Sequence, residues 1–155
     1  MPQDQTYIRT AIQIARRARE NGNHPFGALL VDAQGQILLE AENTVITERD
    51  CTGQAETNLI RAATRQFDPD YLAGCTLYTS TEPCPMCAGA IFWGNLRRVV
   101  YGLSEVELYK LTGDQTDEVL LLSCREVFER GRKPIEVVGP MLEDEAREVH
   151  LGFWK

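Results

Sequence analysis

Histidine is scarce in this sequence: His24 and His150 are the only two in 155 residues. A metal site here has no cluster of imidazoles to draw on. No apolar run approaches the ~20 residues that a helix needs to cross a bilayer. The first residues, MPQDQTYIRT, lack the basic-then-apolar order of an export signal, so a cytoplasmic protein with no membrane partner is expected. An excess of positive charge is missing too, since 16 Lys and Arg face 23 Asp and Glu for a net charge of -7. Nucleic acids are held by clustered cations. The basic residues here, in ARRARE, LRRVV and ERGRK, are scattered between acidic neighbours, so a nucleic-acid substrate is disfavoured and a small neutral one fits better. An even cysteine count is also absent: five cysteines without an export signal argue against a disulfide framework. Cys51, Cys75 and Cys124 stand alone and read as small core hydrophobes. Cys84 and Cys87 differ, because they are spaced C-x-x-C.

What is present suits one domain over residues 1–155, long enough to bury roughly 70% of its unfolded surface. Ile8, Ala11, Ile12, Ala15 and Ala18 recur at helical spacing, and ENGN stops that helix. GALLVDAQGQILLEAEN reads as two strands, 28–31 and 36–41, around a turn at Gly35. A helix is predicted from Gln54, with Ala55, Leu59, Ala62, Ala63 and Gln66 along one face, until FDPD breaks it. A strand follows at 76–79, then a helix from Pro85 to about Trp93, since proline's missing N–H is harmless in a first helical turn. RRVVYG and IEVVG read as strands, with helices predicted at 117–130 and 142–154. Strands alternating with helices predict an α/β fold, a three-layer α/β/α sandwich on a mixed five-stranded sheet.

Chemistry concentrates at two predicted helix starts. Cys84 and Cys87 lie at the amino end of one, where unpaired N–H groups and the helix dipole favour thiolate. By spacing alone, the pair suits a zinc ligand set or a thioredoxin-like redox couple. Glu56, in the first turn of the other helix, shifts that balance towards zinc, because a carboxylate there could shuttle protons for a metal-activated water. Taken alone, such a glutamate would do no more than complement the helix dipole.

Q-A-E at 54–56 followed by P-C-P-M-C at 83–87 matches the zinc-deaminase signature H-x-E…P-C-x-x-C except at its first letter. With HPFGALLVD, ENTV, CTLYTSTEPCPMCAGAIFWG and RRVVYG in order, the chain resembles the cytidine and deoxycytidylate deaminase superfamily. The likeness is greatest to its guanine deaminase and tRNA adenosine deaminase branch. The resemblance implies one zinc ion per chain, with Cys84 and Cys87 as ligands and Glu56 as the proton shuttle. It also implies a homodimer.

Gln54 departs from the pattern, since the position is usually histidine. A neutral amide oxygen is a weaker zinc ligand than an imidazole nitrogen. Three arrangements follow: a weakened site completed by Gln54 or water, a largely empty site in an inactive relative, or Cys51 serving as the third ligand. For the substrate pocket, the resemblance points to Asn43 on the ring edge and Phe26 on the ring face. Trp93 would form the opposite wall, and Asp114 is a further candidate for an exocyclic amine. The expected activity is zinc-dependent hydrolytic deamination of a small amino-heterocycle, with a free purine such as guanine first. The alternatives are a cytosine or nucleoside deaminase, a tRNA adenosine deaminase, or a metal-poor binding relative.

Overall fold

The computed structural model describes residues 2–113 and 116–154; Asp114 lies outside them. The elements run α1 (Pro2–Glu20), β1 (Gly27–Val31), β2 (Ile37–Glu42), α2 (Val45–Glu48), α3 (Ala55–Gln66), α4 (Pro69–Leu72) and β3 (Thr76–Thr81). They continue α5 (Pro85–Trp93), β4 (Arg98–Leu103), α6 (Glu105–Thr112), α7 (Cys124–Glu129), β5 (Glu136–Val138) and α8 (Glu143–Glu148). The five strands form one sheet in the order β2-β1-β3-β4-β5. β1 pairs antiparallel with β2 and β3, whereas β3–β4 and β4–β5 are parallel, so the sheet is mixed as expected.

The two-residue period of β1 shows how the layers arise. All five residues of GALLV are buried, so both faces are covered. Ala28 and Leu30 pack with Leu59, Ala63, Ala88 and Ile91 from α3 and α5. Leu29 and Val31 point the other way, to Ile8, Ala11 and Ile12 of α1 and Ala146 of α8. α1 approaches closely enough that a Cβ on Gly27 would sit 2.5 Å from the Ala15 backbone nitrogen, which only glycine permits.

Two helix predictions need correcting. The segment read as a helix over 117–130 becomes helical only at Cys124, where the Ser123 hydroxyl accepts from the Glu126 N–H. Leu120, Leu121 and Leu122 are consecutive and exposed, so no single helical face could bury them. Their backbone is held from α6 instead: the Tyr109 hydroxyl bonds both the N–H and the carbonyl of Leu120, and a Glu105 carboxylate oxygen accepts from Leu122 N–H. The final helix stops at Glu148, and Arg19 then takes the Val149 and Leu151 carbonyls while Gly152 turns at φ 75°. α6 itself has no counterpart among the predicted elements, although SEVE carries its signal, with the Ser104 hydroxyl accepting from Glu107 N–H.

At the opposite end of the sheet from the helix starts α3 and α5, α1 is pinned to β3 and β4 by charge. Arg98 grips both Asp4 carboxylate oxygens at 3.0 and 2.8 Å, and the Tyr78 hydroxyl donates to one of them at 2.6 Å. The Asp4 side chain is 3% exposed. The Arg98 bonds, followed by that from Tyr78, outweigh burial and pull Asp4 from its ordinary 3.8 down to about 2. A depressed carboxylate stabilises the fold above its unfolded value and loses that contribution as pH falls through the folded one. Asp4→Asn is expected to cost about 2 kcal/mol at pH 7 and to flatten the loss of stability between about pH 4 and pH 2, read by thermal melts across that range. An unchanged acid limb would show that the pair carries no net stability.

Candidate active site

Both helix starts predicted to carry chemistry lie on the same face of the sheet. Gln54 is the extended residue ahead of α3, and Cys84 holds the same place ahead of α5. Pro85 opens α5, so one of the first-turn N–H groups is missing there, while those of Met86 and Cys87 remain. α3 and α5 pack side by side over β1 and β3, which brings residues thirty positions apart into contact. The Gln54 side-chain oxygen accepts from the Cys84 thiol at 3.0 Å and from the Cys87 thiol at 3.3 Å. Cys87 is fully buried and also lies 3.2 Å from the Thr57 hydroxyl.

The two thiols are made unequal by position. Cys84 is held below the ordinary thiol range, first by the hydrogen bond with the Cys87 side chain and then by the N–H groups of Cys87 and Met86. Cys87 is pushed well up by the same bond and by burial. Glu56 lies one helical step further in and is 6% exposed. Burial is the main cause that lifts its carboxyl to about 8, with the charge on Cys84 second and a hydrogen bond with Thr79 opposing.

These groups border a cavity of about 150 Å³ whose lining includes Gln54, Glu56 and Cys84. Asn43 and Phe26, both taken from the sequence, line it as well. Asn43 is 1% exposed; its side-chain oxygen accepts from Val45 N–H, which leaves the amide NH₂ without a partner among the described residues. Phe26 is steadied by an edge contact with His150, and Trp154 packs beside it. Trp93 is not on this wall. It ends α5, about 13 Å along the helix from Cys84 at 1.5 Å per residue, and is 79% exposed beside Phe92 and Lys133. Cys51 is exposed and is not part of the lining, whereas Cys75 and Cys124 are buried as expected.

Sequence reasoning missed part of the wall. His24, in the segment just ahead of β1, lines the cavity, and burial lowers its pKa so that the neutral ring is favoured. Leu108 and Tyr109 come from α6, and the S-x-x-E start of that helix was the signal that could have found them. Glu82 ties the cysteine loop to this wall by accepting from Glu105 N–H at 2.9 Å and Cys124 N–H at 3.4 Å.

The donors can be tested against a divalent ion. Among the described residues no group of three or more His, Cys, Asp and Glu converges. Two sulfurs and one amide oxygen do converge, within 3.3 Å of one another through that oxygen. That set fits zinc as two soft ligands and one weak, uncharged one, with the carboxylate of Glu56 nearby.

The family model for the cytidine and deoxycytidylate deaminase zinc-binding region matches residues 1–103. The chain is 44% identical over 152 residues to a probable cytosine deaminase from Schizosaccharomyces pombe, covering 97% of this chain and 92% of that one. It is 34% identical over 155 residues to a tRNA-specific adenosine deaminase from Bacillus subtilis, covering 100% and 91%. A guanine deaminase structure from Nitrosomonas europaea shares the fold, with a TM-score of 0.78 at 21% identity over 94% of this chain and 81% of that one. A match of this extent, together with the shared mixed sheet, makes the chain a member of the cytidine and deoxycytidylate deaminase family, hydrolases that act on C–N bonds.

Proposed function

We propose that this chain is a zinc-dependent hydrolytic deaminase of a free heterocyclic base, with a metal site weakened by Gln54. The observation that carries the reading is one small cavity bordered at once by the Asn43 amide, the Glu56 carboxyl and the Cys84 sulfur. Its volume of about 150 Å³ equals the liquid share of about five waters and falls below the ~300 Å³ at which drug-sized pockets begin. That volume suits a base and its exocyclic groups. The small volume and the 44% identity to a cytosine deaminase favour a one-ring aminopyrimidine. The guanine-type purine that the motifs put first stands second, supported by 38% identity to a guanine deaminase from Bacillus subtilis over 66% of this chain.

Zinc bound to Cys84, Cys87 and Gln54 would lower the pKa of a water and so supply hydroxide at neutral pH. The chain's own groups do the rest. Phe26 lies against the ring face, and the free NH₂ of Asn43 donates to an acceptor on the ring edge. The Glu56 carboxylate takes a proton from the attacking water and passes it to the ring nitrogen next to the amine. It then takes the proton of the added hydroxyl group and delivers it to the amine, which leaves as ammonia as the C=O bond forms, so that the carboxylate is restored. Burial of Glu56 keeps bulk water from competing for these protons.

The weakness lies at Gln54. Its oxygen bears no charge, and it already lies within 3.3 Å of both sulfurs. The chain is also proposed to pair with a second copy, supported by the exposed Trp93 and Met86 on α5.

Two measurements test this reading. Gln54→His is expected to bind zinc about 10- to 100-fold more tightly than the unaltered chain in competition with a chromogenic chelator; equal affinities would remove Gln54 from the metal site. Zinc-loaded Gln54→His is expected to release ammonia from cytosine in preference to guanine, cytidine or tRNA. In that background Glu56→Gln should lower kcat by about 10²- to 10⁴-fold. Release of ammonia only from the nucleoside or tRNA, or full activity without Glu56, would overturn the proposal.

A further inference from the structure

On the far side of α7 from the cavity lies an open groove of about 770 Å³ beside β5. Four cations border it: Arg97 ahead of β4, Arg125 on α7, and Arg132 and Lys133 in the loop that follows. None has a carboxylate partner among the described residues. Two acids, Glu129 and Glu136, share the rim, and Glu136 is engaged by Arg98 at 3.3 Å. The local balance is therefore positive in a chain whose net charge is -7.

Two of these cations are held in place rather than loose. Arg125 donates to the Tyr101 hydroxyl at 2.9 Å and to the Val137 and Gly139 carbonyls. Lys133 donates to the Phe92 carbonyl at 3.1 Å and sits 4.7 Å from the centre of that ring. The loop carrying Arg132 and Lys133 is seated on the same ring, since a Cβ on Gly131 would come within 2.3 Å of it. Backbone carbonyls and rings fix the Arg125 and Lys133 side chains without neutralising them, while Arg132 stays exposed on the rim. Arg97 supplies the second observation: its Nε is buried with no acceptor, and its Nη2 reaches only the neutral Asn95 amide at 3.2 Å. A buried guanidinium N–H without a partner is costly unless something supplies the acceptor.

We propose that this groove binds a small phosphorylated anion of the oligophosphate class, at a site separate from the deaminase cavity. Guanidinium groups match phosphate oxygens in pairs, and fixing them beforehand lowers the entropy lost on binding. The volume lies in the range of pockets for small organic ligands, roughly 300–1,000 Å³. The groove is also local. Glu129 and Glu136 on its rim interrupt the run of positive charge that a nucleic-acid strand would need to follow.

Inorganic pyrophosphate is the probe, titrated calorimetrically into the full chain at low ionic strength. Saturable one-site binding is expected, weakening with added salt. The exposed Arg132→Gln, which has no packing role to lose, should weaken it about tenfold, and Arg97→Gln with Arg132→Gln should abolish it. Base deamination by the zinc-loaded Gln54→His form should be unchanged in these variants, which separates this site from the catalytic one. Absence of saturable binding, or equal binding in the variants, would overturn the proposal. So would a single-stranded RNA oligomer that displaces pyrophosphate at far lower concentration, since it would assign the groove to a polymer.

Discussion

One side-chain oxygen ties the two helix starts together. The amide of Gln54 receives both thiols of the C-x-x-C pair, and every chemical group of the site is placed relative to that contact. It forms because β1 lies between β2 and β3, so the helices that follow β2 and β3 must pack side by side on one face. Gln54 and Cys84 occupy equivalent positions, each the last extended residue before its helix. Glu56 then points into the same cavity from the first turn of α3. A substitution at residue 54 would therefore alter the donors that face the two sulfurs.

The same placement explains why the site is electrostatically tense. A carboxyl and two thiols share a nearly dry space, and burial with mutual repulsion holds Glu56 and Cys87 in their protonated forms. A cation bound between them would reverse that pressure, since positive charge favours each deprotonated form. The opposite end of the sheet uses charge differently. There Asp4 and Arg98 are already matched, and their ion pair fastens α1 across β3 and β4. One end of the molecule spends its buried charge on stability, and the other keeps it for chemistry.

Much of this was legible in the amino-acid sequence because the strongest signals are local. The alternation of GALLVD, the helical spacing after Gln54 and proline at the first position of α5 each record how a residue meets its immediate neighbours. The cysteine spacing and the glutamate likewise pointed to two helix starts, which the fold brings together. What was missed depends on distant partners. Leu120, Leu121 and Leu122 look like helix or core material, yet their backbone is captured by Tyr109 and Glu105 from another element. Trp93 sits one residue after Phe92, and only the length and direction of α5 reveal that it leaves the pocket. His24 acquires its place on the cavity wall from a loop whose path no local pattern specifies.

The most direct test of the central claim is zinc-edge X-ray absorption on the unaltered chain after loading with a single equivalent of zinc. The account predicts two sulfur neighbours near 2.3 Å and the remaining neighbours oxygen at about 2.0–2.2 Å, without an imidazole signature. A first shell lacking sulfur, or one of sulfur alone, would contradict it.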